Sequence, residues 1–276
     1  LVGLTLTVLV GTLFPLFAEA WDGTRLSVGE PYFNTTGVPV ALALLFMMGV
    51  GPALPWRKAS LRVIRRRLLA PVLGALLLAA VLLGAGLRER AALAAVALGG
   101  FVAFQAFWDI GRLALRRSLG SNRRRVGGQV VHVGVALIAV GIAVSSSYQV
   151  ERQETLRLGE AMTVGSHAVR LERVERRVEP RRRVVQAHLT LDGGGRLSPA
   201  LNLYRNQQQA TASPAVRESP GTDVYAILVE AAQDGSAATI RVLLNPLVTW
   251  LWFGGAVILL GAAIAAVPLP GRSRLT

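Results

Sequence analysis

Cysteine is absent from this chain of 276 residues, which excludes disulfides, metal–thiolate sites and thioether attachment of any group to the chain itself. That absence does not fix the compartment. Histidine is scarce too, with three in all, and acids are outnumbered, with 16 Asp and Glu against 30 Lys and Arg. Nucleic-acid binding is the first class such a balance suggests. The arrangement argues against it, because the arginines abut apolar runs and are not interleaved with stacking aromatics on a soluble face. No Gly-x-x-x-x-Gly-Lys segment occurs, so a P-loop nucleotide site is excluded. The chain opens at Leu1 inside an apolar run, with no initiator methionine and no basic stretch before it. It does not read as a signal peptide; it reads as the C-terminal part of a longer protein or as a fragment, with any missing chemistry expected upstream.

Apolar residues make up 52% of the chain, the mean hydropathy is +0.47, and the apolar residues come in long runs. That pattern predicts an α-helical integral membrane protein. Six spans are expected, near 1–17, 37–54, 68–87, 91–111, 126–146 and 247–267. Segment 55–67 carries Arg57, Lys58, Arg62, Arg65, Arg66 and Arg67, and segment 112–125 carries Arg112, Arg116, Arg117, Arg123, Arg124 and Arg125; Arg272 and Arg274 follow in the tail. These fourteen positive charges equal the net charge of +14. They fall on one side when six spans alternate, so the positive-inside rule makes that side, and the C-terminus, cytoplasmic. The opposite loop carries Glu19, Asp22 and Glu30 against Arg25. The expected organisation is five transmembrane helices with short loops in 1–146, a small extracytoplasmic β-rich domain in 147–246, and a last transmembrane helix with a cytoplasmic tail in 247–276.

Within 147–246 the period changes to two. Val185, Ala187, Leu189 and Leu191 alternate with Gln186, His188 and Thr190, and Val224, Ala226 and Leu228 with Tyr225, Ile227 and Val229; a last strand is expected at 238–244. With turns at Glu179-Pro180 and Asp192-Gly-Gly-Gly195, this predicts a small antiparallel β domain of five or six strands. Segment 170–183 holds seven arginines and three glutamates. It reads as a solvated hairpin, or else as a docking surface for lipid headgroups, an acidic partner or a ligand carboxylate. Gln207–Ala215 reads as a mobile polar loop, and His167 and His188, with no acid at ligand spacing, as surface histidines.

Ionisable residues inside spans carry the functional question. Asp109, three residues before Arg112, predicts an ion pair on one helix face, with proton or quinol chemistry as the sharper alternative. Trp21, Trp56, Trp108, Trp250 and Trp252 lie near span ends, as interfacial anchors do. His132 is the one histidine in an apolar span, about ten ångströms in from its start at 1.5 Å per residue. It is either a packing residue bonded to a neighbouring helix or a metal ligand offering a neutral imidazole nitrogen to haem iron. Gly127, Gly128, Gly134 and Gly141 around it leave room for a helix or a flat macrocycle.

Several motifs occur in order along the chain: Gly11-Thr-Leu-Phe-Pro15, Ser27-Val-Gly-Glu-Pro-Tyr-Phe-Asn34, Gly49-Val-Gly-Pro52 with Trp56, His132-Val-Gly134, Gly141-Ile with Ser145 to Tyr148, Gly159-Glu160, and Pro246-Leu-Val-Thr-Trp250-Leu-Trp252. Together they resemble the CcmF family of cytochrome c-type biogenesis proteins, haem lyase subunits of the bacterial inner membrane, in its C-terminal half. The resemblance implies a protein that takes haem from a periplasmic haem-carrying chaperone and attaches it to apocytochrome c, alongside other cytochrome c maturation membrane subunits. It also implies a haem b held between two transmembrane histidines, with quinol as electron donor. His132 matches the second of those histidines, and so would be an axial ligand of the haem iron. The family's tryptophan-rich haem-handling segment, its two periplasmic histidines and its other transmembrane histidine belong to the N-terminal half, so no catalytic residue is assigned in this chain. Two other classes stay open at this stage: a permease-like subunit of an envelope transport complex, and a scaffold subunit without haem.

Overall fold

The computed structural model describes residues 2–24, 27–54, 60–205, 207 and 209–267. Arg25, Trp56, Arg57, Lys58, Arg272 and Arg274 lie outside the described residues. Among the described residues six helices are long and apolar enough to cross a membrane: α1 (Val2–Asp22), α2 (Glu30–Val50), α3 (Leu61–Gly84), α4 (Arg90–Leu115), α5 (Arg123–Ser147) and α6 (Thr249–Ala266). The chain is a multi-pass helical membrane protein with an antiparallel β domain.

Several helices run past the apolar windows that announce them. α2 starts at Glu30 with Pro31 in its first turn, where the missing N–H costs nothing. Five of the eight residues of the Ser27–Asn34 segment are therefore helix and not loop. α3 takes in Arg62, Arg65, Arg66 and Arg67, and α5 takes in Arg123, Arg124 and Arg125, since long basic side chains can continue a helix while their heads reach polar surroundings.

The chain divides into two compact units, one of residues 1–143 with 252–276 and one of residues 144–251. In the helical unit α4 is the hub. Eleven of its residues are buried, including Gly99, Gly100, Val102, Gln105, Ala106 and Asp109, and it packs against α2 and α3. Phe101 fills the space beside Gly49 of α2, and Leu78 of α3 lies against Gly100. Val140 and Ala136 of α5 cover Gly99.

α5 and α6 meet along a glycine seam. A methyl on Gly134 would lie 2.7 Å from the Gly254 carbonyl oxygen, and one on Gly127 would lie 2.5 Å from that of Gly261. The reversed order of these pairs makes the two helices antiparallel. Backbones this close require residues without a side chain, as small-residue seams between membrane helices do.

The described residues of the second unit form a sandwich of ten strands in two sheets, where five or six strands are expected from the sequence. One sheet has the order β1 (Val150–Arg157), β10 (Ala237–Pro246), β9 (Thr222–Ala231), β8 (Ala215–Arg217). The other has the order β2 (Ala161–Val164), β3 (His167–Val178), β4 (Arg182–Leu191), β6 (Ala200–Tyr204), β7 (Thr211–Ser213), with β5 (Arg196–Leu197) beside β4. The additional strands are two to five residues long, too short for an alternation to register. β7 and the first residue of β8 fall in the segment expected to be a mobile loop. Thr211–Ser213 pairs with β6 and Ala215–Arg217 with β9, and Asn202 Nδ2 donates to Ser213 Oγ at 2.8 Å. All three β7 side chains are exposed, so no apolar face marked that strand.

The alternating residues form the core. Ala187, Leu189 and Leu191 of β4 meet Val224, Ala226 and Leu228 of β9 and Ala238, Ile240, Val242 and Leu244 of β10 in one buried cluster. At the C-terminal edge of this unit Asp223, 2% exposed, accepts the Ser219 N–H at 2.9 Å and the Thr249 hydroxyl at 3.2 Å. Trp250 Nε1 donates to the Pro220 carbonyl at 3.0 Å. Within this unit the clasp holds the joint between the segment before β9 and the first residues of α6.

Candidate functional site

α5 presents two working faces. Gly127, Val131, Gly134 and Ile138, spaced by fours and threes, lie against α6. Arg125, Gln129, His132 and Ala136, spaced the same way, share a second stripe, since residues three and four apart line one side of a helix. That second stripe faces α4. Arg125 Nε and Nη2 donate to the two carboxylate oxygens of Asp109 at 2.7 and 2.6 Å. Gln129 Nε2 adds a longer contact to Asp109 at 3.4 Å.

Asp109 is 7% exposed. The expected partner, Arg112, is replaced by Arg125, because a cross-helix guanidinium can grip both oxygens of a buried carboxylate. The Arg112 guanidinium instead lies over the Trp108 ring, 5.1 Å from its centroid. Spacing along one helix could not reveal a partner sixteen residues away. A cavity of about 100 Å³ adjoins the pair, with Gln105, Arg67, Arg112 and Arg116 in its lining.

His132 is half-buried, and its Nδ1 is fully buried with no hydrogen-bond partner among the described residues. A buried polar atom with no partner is costly, and a histidine that ligates a metal through one nitrogen leaves its other nitrogen in need of an acceptor. Of the glycines expected to make room around it, Gly127 and Gly134 serve the close approach of α6. Gly128, one turn before His132 on nearly the same side, has open space in front of its α-carbon. These residues fit a flat macrocycle held through the imidazole. Gln105 was not singled out by sequence; it is 4% exposed and its Oε1 is also buried without a partner. A lone glutamine in an apolar helix carries no pattern that would have flagged it.

In the β domain the two histidines have acidic neighbours that chain spacing conceals. His167 Nδ1 lies 3.4 Å from Asp192, and His188 Nε2 lies 3.2 Å from Glu175 with Ser198 Oγ 3.3 Å from Nδ1. Among the described residues no group of three or more His, Asp or Glu is placed to hold a metal ion. The arginine-rich β3–β4 hairpin is held by local pairs. Arg182 donates to Glu179 at 2.7 Å and holds that carboxyl below its usual range, while Arg176 donates to the Ala232 carbonyl.

Residues 147–246 match the family described as the CcmF C-terminal beta-sandwich. Over 94% of its length the chain is 33% identical to the cytochrome c-type biogenesis protein CcmF of Pseudomonas aeruginosa. The chain belongs to the CcmF family. It is 30% identical to the CcmF of Escherichia coli over its whole length. A solved structure of a cytochrome c haem lyase CcmF superposes with a TM-score of 0.79, at 32% identity over 97% of this chain. The chain spans 41% and 43% of the lengths of those two relatives and 44% of the solved chain, and it corresponds to their C-terminal part.

Proposed function

We propose that this chain is part of a membrane haem lyase for c-type cytochrome maturation, in which His132 is one axial ligand of a b-type haem. The observation that carries the reading is the buried, unpartnered Nδ1 of His132 beside the open surface at Gly128, in a chain of the CcmF family. His132 would hold the group through a neutral imidazole nitrogen, and Gly128 would let the macrocycle edge lie against the helix backbone. Bound there, the haem would supply one-electron chemistry that keeps substrate haem iron reduced. The chain's own part is mechanical. The glycine seam with α6 and the Arg125–Asp109 bond to α4 clamp α5 on two sides, fixing the rotation of His132 about the helix axis.

In this reading the arginine-bearing end of the helices is cytoplasmic by the positive-inside rule and the β domain is periplasmic. The organisation is then residues 1–146, 147–246 and 247–276 on the two sides of the inner membrane and across it. Partners on the periplasmic side would be a haem-carrying chaperone and apocytochrome c, with other maturation subunits and quinol in the membrane. No residue described in this chain is assigned to thioether bond formation.

The test is a reduced-minus-oxidised absorption spectrum of the detergent-purified complete gene product beside its His132→Ala variant. A low-spin b-type signal lost in the variant is expected. Equal haem in the two proteins removes His132 as ligand, and no haem in the parent moves the permease-like or scaffold reading ahead.

A further inference from the structure

Two polar atoms stand out in the helical unit: Gln105 Oε1, at the edge of the cavity beside the Arg125–Asp109 pair, and His132 Nδ1, both buried and both without a hydrogen-bond partner among the described residues. They lie on facing helices. Asp109 of α4 bonds Arg125 and Gln129 of α5, and Gly99 of α4 lies against Ala136 and Val140. α4 and α5 are therefore antiparallel, so a step of four residues back along α4 matches a step of about four forward along α5. From Asp109 that step arrives at Gln105, and from the Arg125–Gln129 window it arrives at Gln129–Val133, which contains His132. The faces agree as well, because Gln105 and Asp109 are one turn apart on α4, and Arg125, Gln129, His132 and Ala136 form one stripe on α5.

The chemistry is complementary. A neutral imidazole carries one N–H and one bare nitrogen, and which is which depends on the bond the first one makes. An amide oxygen accepts but does not donate. We infer that Gln105 is the positioning residue for His132: its side-chain carbonyl accepts the Nδ1–H, which leaves Nε2 bare and turned away from α4 as the metal-binding atom. Closing this bond would satisfy both buried atoms in one step. A second-layer acceptor of this kind fixes the tautomer and the ring plane of a ligating histidine and strengthens its basicity.

The inference rests on the reading of His132 as a haem ligand, so its test includes a readout that does not need haem. The complete gene product is labelled with ¹⁵N-histidine; His132→Ala assigns the resonance, since the chain has three histidines. In the parent the Nδ1–H tautomer should predominate. Gln105→Leu, which keeps the volume and removes the acceptor, should shift the population toward Nε2–H. It should also lower haem retention about 10- to 100-fold, the usual loss for a second-layer partner. Gln105→Glu restores an acceptor and should restore the tautomer while moving the haem potential to more negative values.

If Gln105→Leu leaves both tautomer and retention as in the parent, the inference is overturned, even where His132→Ala abolishes the haem signal. If the parent holds no haem yet the tautomer follows Gln105, the positioning bond stands and the haem reading falls.

Discussion

Replacing Arg125 by alanine should be among the most damaging single changes at the α4–α5 contact. Asp109 is 7% exposed and holds both Arg125 bonds at 2.7 Å or less. Once the guanidinium is gone, the only remaining donor among the described residues is Gln129, at 3.4 Å. Breaking a buried pair from one side costs about 3–5 kcal/mol, since a buried charge is left uncompensated. The Arg125 side chain is itself 47% exposed, so water reaches part of the site and the lower end, about 3 kcal/mol, applies. That is roughly a hundredfold in the folded-to-unfolded ratio. Asp109→Ala should cost less, about 1 kcal/mol, because the stranded arginine is half-exposed and can turn its head to polar surroundings. The double variant should cost less than Arg125→Ala alone. The assay is reversible unfolding in mixed micelles for the parent, both single variants and the double variant. Equal single costs that add in the double would refute the coupling, and with it the clamp that orients the His132 stripe.

Four further outcomes are expected. Gly134→Val should cost about 1–3 kcal/mol through overpacking, because a methyl there already sits 2.7 Å from the Gly254 carbonyl oxygen; a melting temperature unchanged in detergent would contradict the seam. Leu189→Ala, in the core of the sandwich, should cost about 2–5 kcal/mol, read as loss of protection in hydrogen exchange across β4 and β9. Asp223→Ala should speed exchange of the Ser219 amide, since the buried carboxylate is its acceptor; unchanged exchange would show that the clasp does not hold the joint. Glu179 has its folded pKa depressed by Arg182. Its small contribution to stability is thus present above the unfolded carboxylate pKa and is lost as pH falls through the folded one. An NMR titration midpoint of Glu179 that does not rise in Arg182→Gln would contradict this.

Length and period were readable where one physical rule dominates. Long apolar runs declared six helices because a hydrocarbon layer leaves the backbone no other choice, and the alternation of Ala187, Leu189 and Leu191 declared a half-buried strand. Helix ends were less readable, because Arg62 to Arg67 look like loop by hydropathy yet continue α3. Pairings across elements were not readable at all. Asp109 had a plausible partner three residues away in Arg112, and only the packing of α4 on α5 brings Arg125 nearer; His188 and Glu175 meet through strand pairing. β7 had no apolar residue that could signal burial. His132 was legible from its chemical oddity in an apolar span, whereas Gln105 acquires meaning only once α4 is seen to face α5.

The three sides of α5 would let one helix carry both a rigid fold and the ligand proposed at His132. Its glycine side admits the α6 backbone, and contacts between backbones leave no side-chain rotamers to fluctuate. Its Arg125–Gln129 side is bound to a buried carboxylate on α4, so a rotation of α5 by even a fraction of a turn would break two short charge-assisted bonds. The third side, from Gly128 to the exposed Val135, is open among the described residues, and His132 sits at the border between this open side and the polar one. A ligand nitrogen at such a border can be oriented from behind by α4 while its other nitrogen reaches a group on the open side. Moving the histidine by one residue in either direction would lose one of these conditions: position 131 lies against Gly261 of α6, and position 133 turns 100° further round the helix. Transplanting the imidazole by the double change His132→Val with Val133→His should therefore fail to restore haem binding even though composition and hydropathy are unchanged, and recovery of a b-type spectrum in that variant would show that the α4-facing position is not what selects the site.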